Sequence, residues 1–173
     1  MHVFLTGEKQ VGKSTIIRRY LEQSGISADG FATFWETDAG ARGLYLAEHY
    51  SQSEPPEKHL IVREGAMRLT SAEELAVVFD GFGCKILDGA GKRGIIVMDE
   101  LGFLESMALD FQRSVLRHLS GNVPVLGVIK PARTEFLDAI RSHPNVEVLE
   151  VTPENRDEIL KSLFSCGVSG IML

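Results

Sequence analysis

The 173-residue chain is long enough for one domain with a sizeable core, and its 44% hydrophobic and 24% charged residues are ordinary globular proportions. Its net charge of −6 argues against a sequence-independent grip on nucleic acid or an anionic membrane, which needs a basic face, but not against a small anion held by a few local donors. Two cysteines, Cys84 and Cys166, are too few for a secreted disulfide scaffold, "HVFL" is too short for a signal-peptide core, and no run approaches the ~18 apolar residues of a membrane helix, so a cytoplasmic chain with reduced thiols is expected.

Val3-Phe4-Leu5 is a short apolar run ending at a glycine turn, which predicts a buried strand. The next residues place Gly7, four positions, then Gly12-Lys13-Ser14-Thr15. That spacing arises by chance in a chain of this length about once in a hundred. Here it also lies between a strand and a helix, where a phosphate loop works. Backbone N–H groups of residues 8–14 can turn inward around phosphate oxygens, with the positive end of the helix dipole behind them. Gly7 and Gly12 permit backbone angles and close approach that a Cβ would block. Lys13 can reach the β- and γ-phosphates, and the Ser14 hydroxyl can ligate Mg²⁺. The loop interior is Glu8-Lys9-Gln10-Val11, read by its backbone, so its charged side chains are expected to point outward. The helix behind it carries Ile16, Ile17, Tyr20 and Leu21 on one face, and Gly25 is its expected stop.

Residues 31–63 are β-rich: "FATFWE" and "GLYLAEHY" flank "TDAGAR", whose Gly40 and Gly43 suit a hairpin, and "HLIVR" follows the break "SEPPEK". Phe34 and Trp35 alternate faces of the first strand; either could stack on a base, though packing is the commoner use. "TSAEELAVVF" opens a helix, with Ser71 and Glu74, or Thr70 and Glu73, as a capping box. The glycine-rich "DGFGCKILDGAGKRG" does not follow a strand and lacks the third glycine of a dinucleotide fingerprint, so it reads as a flexible connection.

"GIIVMDE" has the unbroken apolar character of a strand buried on both faces, and it ends in two acids. Asp99 is the natural metal carboxylate of a magnesium nucleotide site. Glu100 would stand beside the γ-phosphate, where a carboxylate can orient or deprotonate an attacking water. Glu105 either supports this site or sits on a helix's first turn. Beyond it lie a helix with Phe111, Val115, Leu116 and Leu119 on one face, the strand "VPVLGVI", the helix "TEFLDAIRS" and the strand "VEVLEV". A last helix is expected to be capped by Thr152, with Pro153 at its first position, before the apolar tail "GVSGIML". The alternation predicts one α/β domain over 1–173, a mainly parallel sheet flanked by helices with a β-hairpin insertion around 31–63.

A transition-state cation could come from Arg42 in the hairpin turn, from Lys130 or Arg133 after the "VLGVI" strand, or from Arg156. Strand carboxyl ends line the ligand crevice of open α/β sheets, which favours Lys130. His2, His49, His59, His118 and His143 show no metal-ligand spacing.

The segments "VFLTG....VGKST", "DGF" at 29–31, "VMDELGFLE" at 97–105, "VLGVI" at 125–129 and "VTPENRDEIL" at 151–160 resemble the THEP-type nucleoside-triphosphatases, in that family's order and over nearly the whole chain. The resemblance implies a P-loop fold and Mg²⁺-dependent, slow, base-tolerant hydrolysis of nucleoside triphosphates such as ATP or GTP to the diphosphate and phosphate. It puts Gly12, Lys13, Ser14 and Thr15 on phosphates and metal, Asp99 on the metal, Glu100 on the water, and Asn155 and Arg156 near the base or ribose. The chain resembles a divergent member. The family usually has proline and glycine where Glu8-Lys9-Gln10 stands, and often lysine where Phe103 stands. Two other functions fit a phosphate loop: a P-loop kinase with 31–63 binding the acceptor, and a non-catalytic nucleotide-binding adaptor. The absence of clustered arginines speaks against a nucleotide kinase lid, and Glu100 beside Asp99 suits a water nucleophile.

Overall fold

The structure is a computed structural model that describes residues 1–48, 56–66, 70–92 and 94–165. Its strands are β1 (His2–Thr6), β2 (Ala28–Asp38), β3 (Ala41–Glu48), β4 (Lys58–Arg63), β5 (Ile95–Leu101), β6 (Val125–Ile129) and β7 (Val146–Glu150). They form one seven-stranded sheet in the order β4-β3-β2-β5-β6-β1-β7. Strands β2, β5, β6, β1 and β7 are parallel, and β3 and β4 continue the sheet antiparallel. The helices are α1 (Lys13–Ser24), α2 (Ala72–Val78), α3 (Cys84–Gly89), α4 (Leu109–Leu119), α5 (Glu135–Arg141) and α6 (Arg156–Ser165). No described helix is long and apolar enough to cross a membrane.

Successive strand residues serve opposite faces. Val3, Leu5, Val97 and Val128 pack with Ile16, Ile17 and Tyr20 of α1 and Leu160 and Leu163 of α6. Phe4, Ile96 and Met98 pack on the other face with Phe79, Leu87, Phe111 and Leu137. Burial on both faces is why "IIVM" is apolar at every position. Gly25 ends α1 in a left-handed conformation, and Ser71 with Glu74 forms the capping box of α2.

Several expectations are corrected. The hairpin expected around 31–63 begins earlier: β2 starts at Ala28 and pairs in parallel with β5 as far as Ala32 opposite Asp99. Beyond Ala32 it pairs only with β3, out to Asp38 opposite Ala41. The outer half of the hairpin therefore stands above the carboxyl edge of the parallel strands. Its turn is Ala39-Gly40, both at positive φ as a tight hairpin turn requires. Gly43 lies within β3, where a Cβ would come within 2.5 Å of Leu60 Cδ1, so packing and not the turn calls for it. The helix expected at Pro153 opens at Arg156; Thr152 does not cap it but donates its backbone N–H to the Asn155 side chain at 2.8 Å. His49, Cys166, the apolar tail and part of "SEPPEK" lie outside the described residues.

The glycine-rich stretch is the largest correction. Phe79–Gly83 forms a π-helical turn that continues into α3. Burial of Phe79, Phe82, Ile86 and Leu87 overrides the glycines. Gly83 is helical, and a Cβ there would lie 2.8 Å from Phe111 Cδ2. Phe111 cannot yield, because it is fully buried between Phe31 and Phe79. Overpacking costs about 1–3 kcal/mol, against about 1 kcal/mol of helix propensity gained by alanine. Gly83→Ala is therefore expected to lose roughly 1 kcal/mol of stability by urea denaturation; a more stable variant would contradict this packing.

Candidate active site

The loop after β1 is shaped by its glycines. Gly7 has φ 131°, and a Cβ there would strike the Val151 carbonyl oxygen at 2.4 Å. Gly12 is left-handed and forms the N-terminal cap of α1 with no side-chain hydrogen bond, so the cap residue leaves the first N–H groups of the helix without a side-chain acceptor. Those groups and the helix dipole make an anion site. Glu8, Lys9 and Gln10 are exposed, while Val11 is buried in the core under α1. Lys13 is buried and donates from Nζ to the carbonyls of Gly7 (2.9 Å) and Glu8 (2.6 Å). Burial holds its pKa below the usual lysine value, opposed by Glu100 and Asp99 and reinforced by Lys130.

Asp99, at the end of β5, is buried, and desolvation pushes its carboxyl up to about 6. The Ser14 hydroxyl, hydrogen-bonded to it, and Lys13 pull the other way, while Glu100 adds to the rise. The β5–β6 ladder shifts register between Asp99 and Leu101, the kind of irregularity that re-aims a side chain next to a site. Glu100 lies 3.2 Å from Lys130 Nζ, with its side chain 28% exposed. Lys130 follows β6, the strand between β1 and β5, and is held by its backbone N–H donating to the Leu101 carbonyl at 2.9 Å. Its ammonium stands 5.3 Å from the centre of the Phe103 ring.

Glu105 is not on a helix. It is buried in the loop after β5 and accepts from the Gly102 N–H at 2.9 Å, bracing the turn that follows Glu100. Burial pushes its carboxyl up to about 7; backbone N–H groups and Lys130 oppose this and Glu100 adds to it. The folded pKa lies above the ordinary 4.5, so the folded state keeps a proton that the unfolded chain gives up. The stability this contributes is fully present below about 4.5 and is lost as pH rises through about 7. Glu105→Gln is expected to flatten part of the fall in stability over that window, by at most about 3 kcal/mol at roughly 1.4 kcal/mol per unit. Asp99 adds to the fall through its own raised carboxyl, while His2 and His118, held below the usual histidine value by burial, act in the opposite direction. Urea midpoints at pH 5 and pH 8 measure it, and an unchanged difference in the variant would refute it.

Two openings flank the phosphate loop. A cavity of about 420 Å³ extends from Lys13 past Glu100 and Lys130 to Trp35 on the hairpin and Phe103. A groove of about 310 Å³ runs on the other side, between residues 8–11 and the β7–α6 connection at Thr152, Pro153 and Arg156. Arg156 packs over Gly12. Asn155 faces its own loop, accepting from the Thr152 N–H and donating to the Glu150 carbonyl at 2.9 Å. Of the candidate cations, Arg42 pairs with Glu64 at 2.8 Å and Arg133 with Asp138 at 3.0 Å, and neither lines the cavity. Lys130 is the one brought to Glu100 and Lys13. Sequence reasoning offered Phe34 or Trp35 as a stacking ring and 31–63 as an acceptor-binding segment; what it did not supply is that Thr33, Trp35 and Leu44 together wall this cavity.

Among the described residues, no cluster of three or more His, Cys, Asp or Glu forms a metal cage. The Ser14 hydroxyl beside a buried, desolvated Asp99 carboxyl nonetheless fits Mg²⁺, an oxygen-seeking cation bound through one or two protein groups with phosphates and water.

A glycine-framed loop running from a buried strand into an uncapped helix, with an acid-ended strand one place away across β6, defines a P-loop α/β fold of the nucleoside-triphosphatase class. The profile of the family described as NTPase matches residues 2–164, and the chain belongs to that family. It is 33% identical over 185 residues to the human cancer-related nucleoside-triphosphatase, covering 95% of both chains. It is 28% identical to nucleoside-triphosphatase THEP1 of Aquifex aeolicus, covering 95% of this chain and 98% of the relative. The crystal structure of THEP1 from that hyperthermophile superposes with a TM-score of 0.73 over 96% of this chain and 98% of its own, at 27% identity. The solution structure of a human cancer-related nucleoside triphosphatase gives 0.66 over 99% of both chains, at 26% identity.

Proposed function

We propose that the protein hydrolyses nucleoside triphosphates to the diphosphate and phosphate with Mg²⁺ and with little preference for the base. The observation that carries this is the Glu100–Lys130 pair standing beside Lys13 at the mouth of the phosphate loop. In this reading the loop N–H groups and Lys13 hold the β- and γ-phosphates. Lys13 exchanges its contacts with the Gly7 and Glu8 carbonyls for phosphate oxygens. Ser14 and Asp99 hold Mg²⁺, which when bound neutralises charge on the β- and γ-oxygens. Glu100 accepts the proton of the attacking water, and Lys130 steadies the charge on the transferring group. The nucleoside lies in the groove under Arg156. The groove wall is largely exposed, with Glu8, Gln10, Pro153 and Arg156 all open to solvent. Such a wall holds a base without reading it closely, which supports broad tolerance. Asn155 contributes by fixing that wall.

The test is phosphate release from ATP, GTP, CTP and UTP with Mg²⁺ and no other acceptor, with EDTA as a second arm and Lys13→Ala as the blank. Release from several triphosphates that EDTA and the blank abolish is expected. Release equal in Lys13→Ala and wild type would overturn the reading.

A further inference from the structure

The larger opening is more than a water molecule needs. Its 420 Å³, which takes in the space over Gly7, Lys9 and Lys13 where the γ-phosphate is placed, falls within the range of small-molecule pockets, and of the residues lining it only Lys9 also lines the groove at Arg156. Its outer wall is the part of the hairpin that rises above the sheet, where Thr33 and Trp35 share a face with Leu44, the cross-strand partner of Trp35. The opposite wall is the loop after β5, with Phe103 and Leu104. Two aromatic rings stay open to solvent at its rim, Trp35 at 37% and Phe103 at 48%. Each ring has a cation over it: Arg42 lies 5.3 Å from the Trp35 ring centre, and Lys130 lies 5.3 Å from that of Phe103. Such contacts hold the rings in place before a ligand arrives. At the inner end stands Glu100, the carboxylate available to take a proton.

We propose that this cavity binds a second substrate, a heteroaromatic alcohol no larger than a nucleoside, whose hydroxyl replaces water as the acceptor of the γ-phosphoryl group. The flat ring stacks on Trp35 and Phe103. The Thr33 hydroxyl serves the ring's polar atoms, and the hydroxyl of the ligand points at Glu100. The proposal rests on the triphosphate lying as described above, with its γ-phosphate at Lys13. In the transfer, the ligand's oxygen forms a bond to the γ-phosphorus and the bond from that phosphorus to the β–γ bridging oxygen breaks. Glu100 takes the hydroxyl proton. The products are the nucleoside diphosphate and the phosphorylated alcohol, and no redox partner is involved.

Trp35 is the only tryptophan in the chain, so protein fluorescence reports on this cavity directly. The experiment titrates adenosine, guanosine, cytidine, uridine and pyridoxine into the protein, with and without ADP and Mg²⁺. It then incubates each probe with ATP labelled at the γ-position and separates the products. Saturable quenching by at least one probe is expected, retained when ADP is bound, with label appearing in that probe's phosphate ester. Phe103→Leu keeps the apolar wall but removes a ring, and is expected to weaken that probe by up to about tenfold. No quenching and no labelled ester, with phosphate release from ATP intact, would overturn the proposal and leave the hydrolase reading standing. Quenching that ADP competes away would mean that the cavity holds the nucleotide's own base, which also overturns it. Unchanged affinity in Phe103→Leu would move the probe out of the cavity. No release and no transfer with any probe would take down both readings together.

Discussion

Glu100→Gln is expected to release phosphate from nucleoside triphosphate roughly 10²–10⁴-fold more slowly than wild type, the range a positioned general base supplies. Glutamine keeps the shape of the side chain and one acceptor oxygen, so it can still hold a water and still meet Lys130, which lies 3.2 Å from Glu100. What it cannot do is accept the proton. Binding should persist and even tighten, because a negative charge is removed from beside the γ-phosphate. Single-turnover rates with a separate nucleotide titration make the distinction. A rate within a few-fold of wild type would remove Glu100 from the chemistry. Lost binding at an unchanged single-turnover rate would make it a binding residue.

Lys130→Ala has the second large effect. An arginine placed on the transition state of phosphoryl transfer is worth about 10³–10⁵. Lysine offers a point charge in place of a bidentate fork, which puts the expected loss near the lower end, about 10³ in kcat. The charge acts mainly as the γ-group separates, so the nucleotide dissociation constant should change far less than kcat. Lys130→Arg should recover part of the rate. Its stem also covers Gly102, where a Cβ would meet Lys130 Cδ at 2.9 Å, so thermal unfolding of both variants checks that the loop stays in place. Equal kcat in Lys130→Ala and wild type would show that another group holds the developing charge.

These two residues illustrate what was legible in the chain. Lys13, Ser14 and Asp99 were legible as candidates because the parts proposed for them follow from local pattern: a glycine frame between strand and helix, and an acid closing an apolar run. Glu100 was readable as the next residue, although strand alternation alone would send it to the face opposite Asp99; the register shift after Asp99 is a tertiary fact. Lys130 was favoured among the candidate cations by its place at a strand carboxyl end, and the sheet order, with β6 between β1 and β5, put it beside Glu100. Arg42 and Arg133 were candidates as well, but each is paired with a carboxylate, Glu64 and Asp138, and neither lines the cavity. The "DGFG" stretch misled because glycine count predicts freedom, whereas the surrounding phenylalanines bury the segment as a π turn and a helix. Asn155, placed near the base or ribose by resemblance, also ties its own loop together, a pair of contacts that no local pattern announces.

The sequence by itself determined the phosphate loop and the alternating α/β plan, because each rests on contacts among near neighbours or on a periodicity of 2.0 or 3.6 residues. Only the tertiary structure decided which cation faces Glu100, that Glu105 is buried under the loop after β5, and that the hairpin overhangs the carboxyl edge of the sheet to wall off a cavity beside the phosphate site. Those facts depend on strand order, on the length by which β2 outruns β5, and on desolvation by distant parts of the chain, none of which local spacing encodes.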